Sequence, residues 1–218
     1  MFCSTCYNCN FIIHILYLSL IIKKTFLFYI NMNKINSYKK VYNMEKFSKD
    51  WRNDIYDVFK DIGISLVSHI PDAGHTPLIN LCEKDNNIDV VTLTTEEEGV
   101  GLACGAWTGG KKSALLMQSS GVGNCINALA LPNICRIPFL TIVSMRGEWG
   151  EFIPWQVPMG LGTPKVLEAM DVKIFRVDYE DEVGETVNAA ANFAFNTRKS
   201  AAVLLSQKMI GAKQFKNG

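Results

Sequence analysis

The sequence lacks an excess of charge of either sign. Its 218 residues include 22 lysines and arginines against 21 aspartates and glutamates, a formal net charge of +1. So balanced a chain has no electrostatic bias towards nucleic acid. It also lacks internal repeats and low-complexity stretches. With 48% hydrophobic residues at this length, the composition predicts one soluble, well-buried domain.

Paired cysteine spacing is missing as well. The last four of the seven cysteines lie in apolar or small-residue segments, which is typical of the reduced thiols of a cytoplasmic protein and argues against a disulfide framework. The first three are spaced like a metal clip, but no second ligand pair follows at zinc-site spacing, so we interpret them as incidental. The cysteines are Cys3, Cys6, Cys9, Cys82, Cys104, Cys125 and Cys135.

The first 43 residues lack a complete targeting signal. Their apolar run, FIIHILYLSLII (11–22), is too short to span a bilayer, and the preceding MFCSTCYNC lacks the basic region of a secretory signal. We expect residues 1–43 to be a non-native or disordered extension, translated from too early a start, with Met44 as the natural first residue. A membrane anchor is the alternative. Residues 44–208 would form the domain, and 209–218 a tail.

Complete nucleotide-binding motifs are missing too. The segments GVGLAC (99–104) and GVGNCI (121–126) both lack the third glycine of a dinucleotide fingerprint. No Gly-Lys-Ser/Thr phosphate loop follows a strand. The glycines therefore do not indicate a dinucleotide or nucleoside triphosphate site.

Helical and extended patterns alternate along the remaining chain. Short apolar strands are predicted over 64–70, 88–93, 113–118, 139–145, 172–177 and 201–206. Helices are predicted around 55–62, 76–85, 97–109, 123–133, 163–170 and 181–197. Near-continuous apolar strands separated by helices predict an α/β fold, a doubly wound parallel sheet with helices on both faces.

Ligands of such sheets bind where strands end, so the loops after the strands carry the functional information. Four of these loops are distinctive: PDAGH (71–75), TTEEE (94–98), QSSGVGN (118–124) and RGEWGEFIPWQVPMG (146–160). The second loop opens a helix bearing Gly99, Gly101 and Gly105. Interior glycine destabilises a helix by about 1 kcal/mol relative to alanine, so we expect something to approach this helix closely.

In order and spacing, these four motifs resemble the alpha subunits of sulfopyruvate and phosphonopyruvate decarboxylases, over residues 50 to 208. The resemblance implies the pyrimidine-binding domain of a thiamine diphosphate enzyme. It implies decarboxylation of 3-sulfopyruvate or 3-phosphonopyruvate, with release of CO2 and the corresponding aldehyde. A subunit of another thiamine diphosphate-dependent 2-oxoacid decarboxylase or carboligase, and a non-catalytic regulatory subunit of this fold, are the alternatives.

The resemblance gives the acidic cluster a catalytic function. In that superfamily a glutamate hydrogen-bonds the pyrimidine ring of the cofactor and promotes the proton transfer that activates it. That family usually has a glycine nine positions after this glutamate, and counting back nine positions from Gly105 selects Glu96. The Glu-x-Gly-x-Gly pattern selects Glu97 instead. We favour Glu96 and keep Glu97 as the alternative. Glu98 is then expected only to complement the helix dipole.

The other loops acquire functions through the same resemblance. Asp72, which could equally cap the next helix, and His75, which could be a partly exposed loop residue, are candidates at the substrate end. Related decarboxylases often have serine where this chain has Ala73. Arg146 is a candidate for binding the substrate anion, and a salt bridge to Glu148 or Glu151 is its alternative. The turn near the pyrimidine would comprise Gln118, Ser119, Ser120, Gly121, Gly123 and Asn124, or it is an ordinary glycine turn.

One motif of the superfamily is missing from the sequence. Thiamine diphosphate enzymes hold the diphosphate through Mg²⁺ bound by a Gly-Asp-Gly motif, and no such triplet occurs here. We therefore expect a partner beta subunit to hold the Mg²⁺ and the diphosphate, in an obligate hetero-oligomer that shares the cofactor. Trp149, Trp155 and Met159 are the expected interface anchors, since aromatic residues and methionine are enriched at interfaces.

Overall fold

The computed structural model describes residues 50–212, so the predictions for residues 1–43 and for the end of the tail lie outside the described residues. Six strands form the sheet: β1 Ile64–His69, β2 Asp89–Thr92, β3 Lys112–Gln118, β4 Phe139–Ser144, β5 Lys173–Val177 and β6 Ser200–Leu205. The helices are α1 Trp51–Ile62, α2 Thr76–Glu83, α3 Glu96–Thr108, α4 Ser119–Cys125, α5 Ala130–Cys135, α6 Gln156–Ala169, α7 Val183–Thr197 and α8 Gln207–Ile210. A 3₁₀ turn, Glu180–Glu182, precedes α7.

All the strand pairs are parallel, and the strand order is β2-β1-β3-β4-β6-β5. Successive side chains of β3 contribute to two different apolar clusters. Ala114 and Leu116 belong to one, and Leu115 and Met117 belong to the other. The central strands are therefore buried on both faces, which explains their near-continuous apolar sequence and confirms the predicted α/β fold.

The helix predicted over 123–133 is wrong, because the chain forms two short helices there. Helix α4 begins directly after β3 and ends at Cys125, and α5 begins at Ala130. Pro132 lies in the first turn of α5, where its missing N–H is tolerated. One continuous helix would bring the proline ring against the carbonyl of Ala128, which disfavours it.

The helix predicted near 163–170 begins seven residues earlier, at Gln156. Pro158 is the third residue of α6, a position whose N–H has no intrahelical acceptor, so the proline does not delay the helix. Gly160 packs directly on the preceding loop: a β-carbon added there would lie 2.0 Å from the carbonyl oxygen of Arg146. The final part of the predicted 146–160 loop is therefore helical.

Within residues 50–212, no helix is long and apolar enough to cross a membrane. Helix α8 runs through the predicted boundary at residue 208, and its first residue, Gln207, is buried.

Candidate active site

The four distinctive loops follow β1, β2, β3 and β4, and the parallel sheet brings them to one edge. The chain leaves β1 towards β2 on one side and later returns to form β3 on the other side of β1. The carboxyl ends of β1 and β3 thus form a topological switch point, where parallel sheets bind ligands. The β4 loop emerges beside them, since β4 pairs with β3 up to Ser144.

Glu96 is the buried carboxylate of the acidic cluster. It is the first residue of α3 and is 8% exposed, whereas Glu97 and Glu98 are exposed. Its Oε2 accepts a hydrogen bond of 2.8 Å from Nδ2 of Asn124. The side chain lies directly over Gly121, where an added β-carbon would be 2.3 Å from Oε1. Any side chain at position 121 would therefore displace this carboxylate.

The exposed Glu98 stabilises the start of the helix. Its Oε2 accepts a hydrogen bond of 2.9 Å from the backbone N–H of Thr94, and the N–H of Glu98 donates to the carbonyl of Thr95. A carboxylate in the first turn is also favoured by the helix dipole. The glycines of α3 differ among themselves: Gly99 contacts Leu115, whereas a β-carbon at Gly101 or Gly105 would meet nothing within 4 Å.

Cys125 is the last residue of α4 and is fully buried. Burial, reinforced by the nearby charge of Glu96, raises the pKa of its thiol to about 12. The thiol is therefore neutral at physiological pH and is unsuited to nucleophilic chemistry.

Asp72 lies at the end of the β1 loop and connects three elements. Its Oδ2 accepts a hydrogen bond of 2.6 Å from Oγ of Ser144, and its Oδ1 accepts one of 3.2 Å from Nε2 of Gln118. Oε1 of Gln118 in turn accepts hydrogen bonds from Ser120, at 2.9 Å, and from Nε2 of Gln156, at 3.2 Å. The loops after β1, β3 and β4 are thereby joined by side chains.

His75 is fully buried, so the expectation of a partly exposed loop histidine is wrong. Its Nε2 lies 3.3 Å from the carbonyl oxygen of Met117 and therefore donates to it. Burial lowers the pKa of His75, although the charge of Asp72 opposes the shift. The imidazole is thus a neutral group packed against β3, at the inner side of the Asp72 loop.

Arg146 forms the salt bridge that was the alternative to substrate binding. Its Nε and Nη2 donate to the two oxygens of Glu151 at 2.7 and 2.6 Å, and both side chains are buried. Glu151 also accepts from Nε2 of Gln207 and from the N–H groups of Gly147 and Ile153. The hydrogen bonds, led by those from Arg146, lower the pKa of Glu151 to about 2.

Ser119 is placed in the framework of the site. It is fully buried, and its Oγ accepts a hydrogen bond of 3.0 Å from the backbone N–H of Arg146. Its carbonyl accepts one of 3.2 Å from Thr163 of α6. Gly123 lies beside Met159, whose sulfur would be 3.3 Å from an added β-carbon. These residues hold α4, the β4 loop and α6 together.

Sequence reasoning missed three residues that organise the site. Ser144 and Gln156 complete the Asp72 network, and Gln207 donates to Glu151 and so helps to anchor the β4 loop. Ser144 could have been found because it is the last, polar residue of an otherwise apolar strand. Nothing in the sequence distinguishes Gln207, which accepts from the N–H groups of Glu148 and Trp149.

The β4 loop and the start of α6 present apolar side chains to solvent. Trp149 is 57% exposed, Trp155 is 76% exposed and Leu161 is 63% exposed, while Met159 is half-buried. Across residues 50–212, no group of three or more histidine, cysteine, aspartate or glutamate side chains could hold a metal ion.

Two solved structures share the fold. The 2-oxoglutarate:ferredoxin oxidoreductase from Magnetococcus marinus matches with a TM-score of 0.57 and 13% identity, over 74% of this chain and 29% of its own. A protein from Mycobacterium smegmatis described as a thiamin diphosphate-dependent enzyme matches with a TM-score of 0.58 and 17% identity, over 73% of this chain and 31% of its own. At such low identity these matches concern the fold alone.

No protein-family model matches the chain, but curated relatives do. The sulfopyruvate decarboxylase subunit alpha of Methanococcus maripaludis is 38% identical over 152 residues, 69% of this chain and 91% of that protein. That of Methanocaldococcus jannaschii is 37% identical over 69% of this chain and 89% of its own. The phosphonopyruvate decarboxylase of Streptomyces viridochromogenes is 36% identical over 51% of this chain and 29% of its own. The chain therefore belongs to the family of sulfopyruvate decarboxylase alpha subunits.

Proposed function

We propose that this chain is the alpha subunit of a thiamine diphosphate-dependent carboxy-lyase that acts on 3-sulfopyruvate or 3-phosphonopyruvate and works in the cytoplasm. The products would be CO2 and the corresponding aldehyde. Relatives named for both of these activities support the substrate class. The single observation that carries the proposal is the burial of Glu96 at the switch point, over Gly121 and against Asn124.

The residues around Glu96 fit the pyrimidine end of this cofactor. Among the described residues, Asn124 provides the hydrogen bond to Glu96, on Oε2, which leaves Oε1 available to a donor such as a protonated ring nitrogen. The absence of a side chain at Gly121 provides the room that this carboxylate occupies. A buried carboxylate of this kind is suited to hold and transfer a proton.

Thiamine diphosphate, when bound, would supply the electron sink for the bond that breaks when CO2 leaves. The chain's own residues would orient and hydrogen-bond. Glu96 would accept the hydrogen bond of the pyrimidine, and the turn from Gln118 to Asn124 would line that end. Asp72, held by Ser144 and Gln118, would face the substrate. His75, neutral and buried, would support the Asp72 loop from behind.

We do not assign the substrate anion to Arg146 in this proposal. Its Nε and Nη2 are both bonded to Glu151, and removing either member of a buried ion pair leaves an uncompensated charge. Arg146 would instead fix the β4 loop.

The proposed partner is a beta subunit that holds the diphosphate through Mg²⁺. The sequence of this chain contains no Gly-Asp-Gly triplet that could do so. The exposed Trp149 and Trp155 are suited to anchoring such a partner, because aromatic residues are enriched in the buried parts of interfaces. We propose residues 44–208, together with the last two residues of α8, as the extent of the domain, because α8 continues past residue 208.

The test compares Glu96→Gln with Glu97→Gln as the matched control, each purified in complex with the beta subunit. Loss of a positioned acid or base typically lowers the rate 10²- to 10⁴-fold, so we expect Glu96→Gln to release CO2 at least about 100-fold more slowly in single-turnover measurements. Glu97→Gln should stay near wild type. Gel filtration would verify that both variants still assemble.

Three outcomes would correct the proposal. If Glu97→Gln is the inactive variant, the neighbouring carboxylate is the catalytic one. If Glu96, Glu97 and Glu98 can all be changed to glutamine without loss of rate, the chain is a regulatory subunit. If the complex is inactive on both sulfopyruvate and phosphonopyruvate but decarboxylates another 2-oxoacid, the substrate assignment is wrong.

A further inference from the structure

The hydrogen bonds around Asp72 form a continuous chain that runs across the site. Ser144 and Gln118 donate to the carboxylate of Asp72, and Ser120 and Gln156 donate to the amide oxygen of Gln118. These residues come from the ends of β3 and β4, from the β1 loop and from the first turns of α4 and α6. This series of hydrogen bonds therefore joins every loop of the switch point except the one that carries Glu96.

The carboxylate of Asp72 fixes the direction in which these hydrogen bonds are donated. A carboxylate only accepts hydrogen bonds, so Gln118 has to turn its Nε2 towards Asp72 and its Oε1 away. Gln156 then has to turn its own Nε2 towards that oxygen. The two amides are consequently aligned head to tail, and the outermost group of the chain is the Oε1 of Gln156.

That terminal oxygen is buried and has no hydrogen-bond partner within the part of the chain that the structure describes. A buried acceptor without a donor is unfavourable, so it marks a position where a donor belongs. The anionic oxoacid substrates named above present carboxylate, keto, sulfonate or phosphonate oxygens. Such groups are acceptors, and they would repel this oxygen.

We propose that Oε1 of Gln156 binds an N–H or O–H donor that enters when the site is completed, and that Asp72 is the positioning residue that keeps this oxygen facing it. The inference rests on the proposed function only for the identity of the molecules that complete the site, namely the partner subunit and the cofactor. The donor could belong to the partner subunit or to the aminopyrimidine of the cofactor. Both sources share the same chemistry, and the experiment below separates them.

The direction of these hydrogen bonds can be tested with substitutions that reverse it. In Gln156→Glu a carboxylate stands on each side of Gln118, and its single Nε2 can address only one of them. Adding Asp72→Asn removes the conflict, because an amide at position 72 can donate to Oε1 of Gln118 while Nε2 of Gln118 donates to position 156. In that arrangement an oxygen of position 156 still ends the series of hydrogen bonds and stays free to accept. The second substitution should therefore repair the first.

The first readout uses the full chain alone and does not depend on the proposed function. Nuclear Overhauser contacts of the ¹⁵N-labelled Gln118 side-chain amide should place its protons beside residue 72 in the wild type. In the double variant they should lie beside residue 156. If these protons stay beside residue 72 in the double variant, the directional argument is wrong.

The second readout is binding. Gln156→Met keeps the length of the side chain but removes the oxygen, and one lost hydrogen bond should weaken the affected equilibrium about tenfold. Titration of each variant with the beta subunit, and of each assembled complex with thiamine diphosphate and Mg²⁺, gives two dissociation constants. A loss in the first assigns the donor to the partner, and a loss only in the second assigns it to the cofactor.

Compensation decides the proposal. We expect Gln156→Glu to weaken the same equilibrium about tenfold and the double variant to return within about threefold of wild type. If Gln156→Met changes neither constant, or if the double variant binds no better than Gln156→Glu, the proposal is overturned. If the variants show this compensation but the wild-type complex decarboxylates neither substrate, the proposed function is refuted and the inference stays intact.

Discussion

Replacing Gly121 with alanine tests the close contact on which the arrangement of Glu96 depends. The added β-carbon would lie 2.3 Å from Oε1 and 2.5 Å from Cδ of Glu96, whereas ordinary contacts begin at 3.4 Å. The carboxylate must therefore retreat by about 1 Å, which conflicts with its hydrogen bond of 2.8 Å to Asn124. A misplacement of about 1 Å in a catalytic group can cost about 100-fold in rate.

The effect on stability is the difference between two opposing contributions. Forcing an extra methyl group into a filled space costs about 1–3 kcal/mol, and replacing a helical glycine with alanine returns about 1 kcal/mol. We expect Gly121→Ala to lower the free energy of unfolding of the isolated chain by about 0–2 kcal/mol. The matched control is Gly101→Ala, also in a helix but with nothing within 4 Å, which should raise it by about 1 kcal/mol.

Urea unfolding followed by circular dichroism would give both free energies, and CO2 release by the complex would give the rate. We expect a large fall in the rate for Gly121→Ala alongside a small change in stability. Wild-type turnover by this variant would show that Glu96 does not need its observed position. Equal stabilisation of both variants would show that the close contact does not exist in solution.

Three further predictions concern residues outside the proposed chemistry. Glu98→Ala should lower the free energy of unfolding by about 0.5–1 kcal/mol, measured by urea unfolding, because a hydrogen bond at the start of α3 is lost, and CO2 release should not change. Glu151→Gln should lower the free energy of unfolding by about 3 kcal/mol, because it leaves Arg146 buried without its charge partner. Glu148→Gln removes a charge from the more exposed pair with Arg176 and should lower it by less than about 1 kcal/mol. Folding lowers the pKa of Glu151 from 4.5 to about 2, so the contribution of this side chain to the free energy of unfolding should be complete above pH 4.5 and be lost as the pH falls through 2. A pH series of unfolding on wild type and Glu151→Gln would detect this loss. Identical profiles for the two proteins would contradict it. A chain that begins at Met44 should unfold with the same free energy as the full chain, and failure of the shortened chain to fold would show that residues 1–43 contribute to the domain.

The class of fold could be predicted from the sequence, because burial on both faces leaves a distinct pattern in a parallel strand. The runs around Ala114 and around Val203 are apolar at nearly every position, and this pattern predicted both strands to within a residue. The sequence also located the acidic helix start. Within it, the resemblance to the decarboxylase family, applied as a count back from Gly105, selects the one glutamate of the three that is buried. The strands and the helix start are local features, so their patterns along the chain are sufficient to identify them.

The contacts between polar groups became known from the three-dimensional arrangement of the strands and loops. Ser144 reaches Asp72 across 72 positions of sequence, and Gln156 reaches Gln118 across 38, because parallel strands bring their carboxyl ends to one edge. The pairing of Arg146 was open between three possibilities until the loop geometry selected Glu151. His75 looks like a loop residue in sequence, yet it is buried, since the fold packs its loop against β3. Burial and pairing of this kind depend on the packing of distant elements, and no local pattern records them.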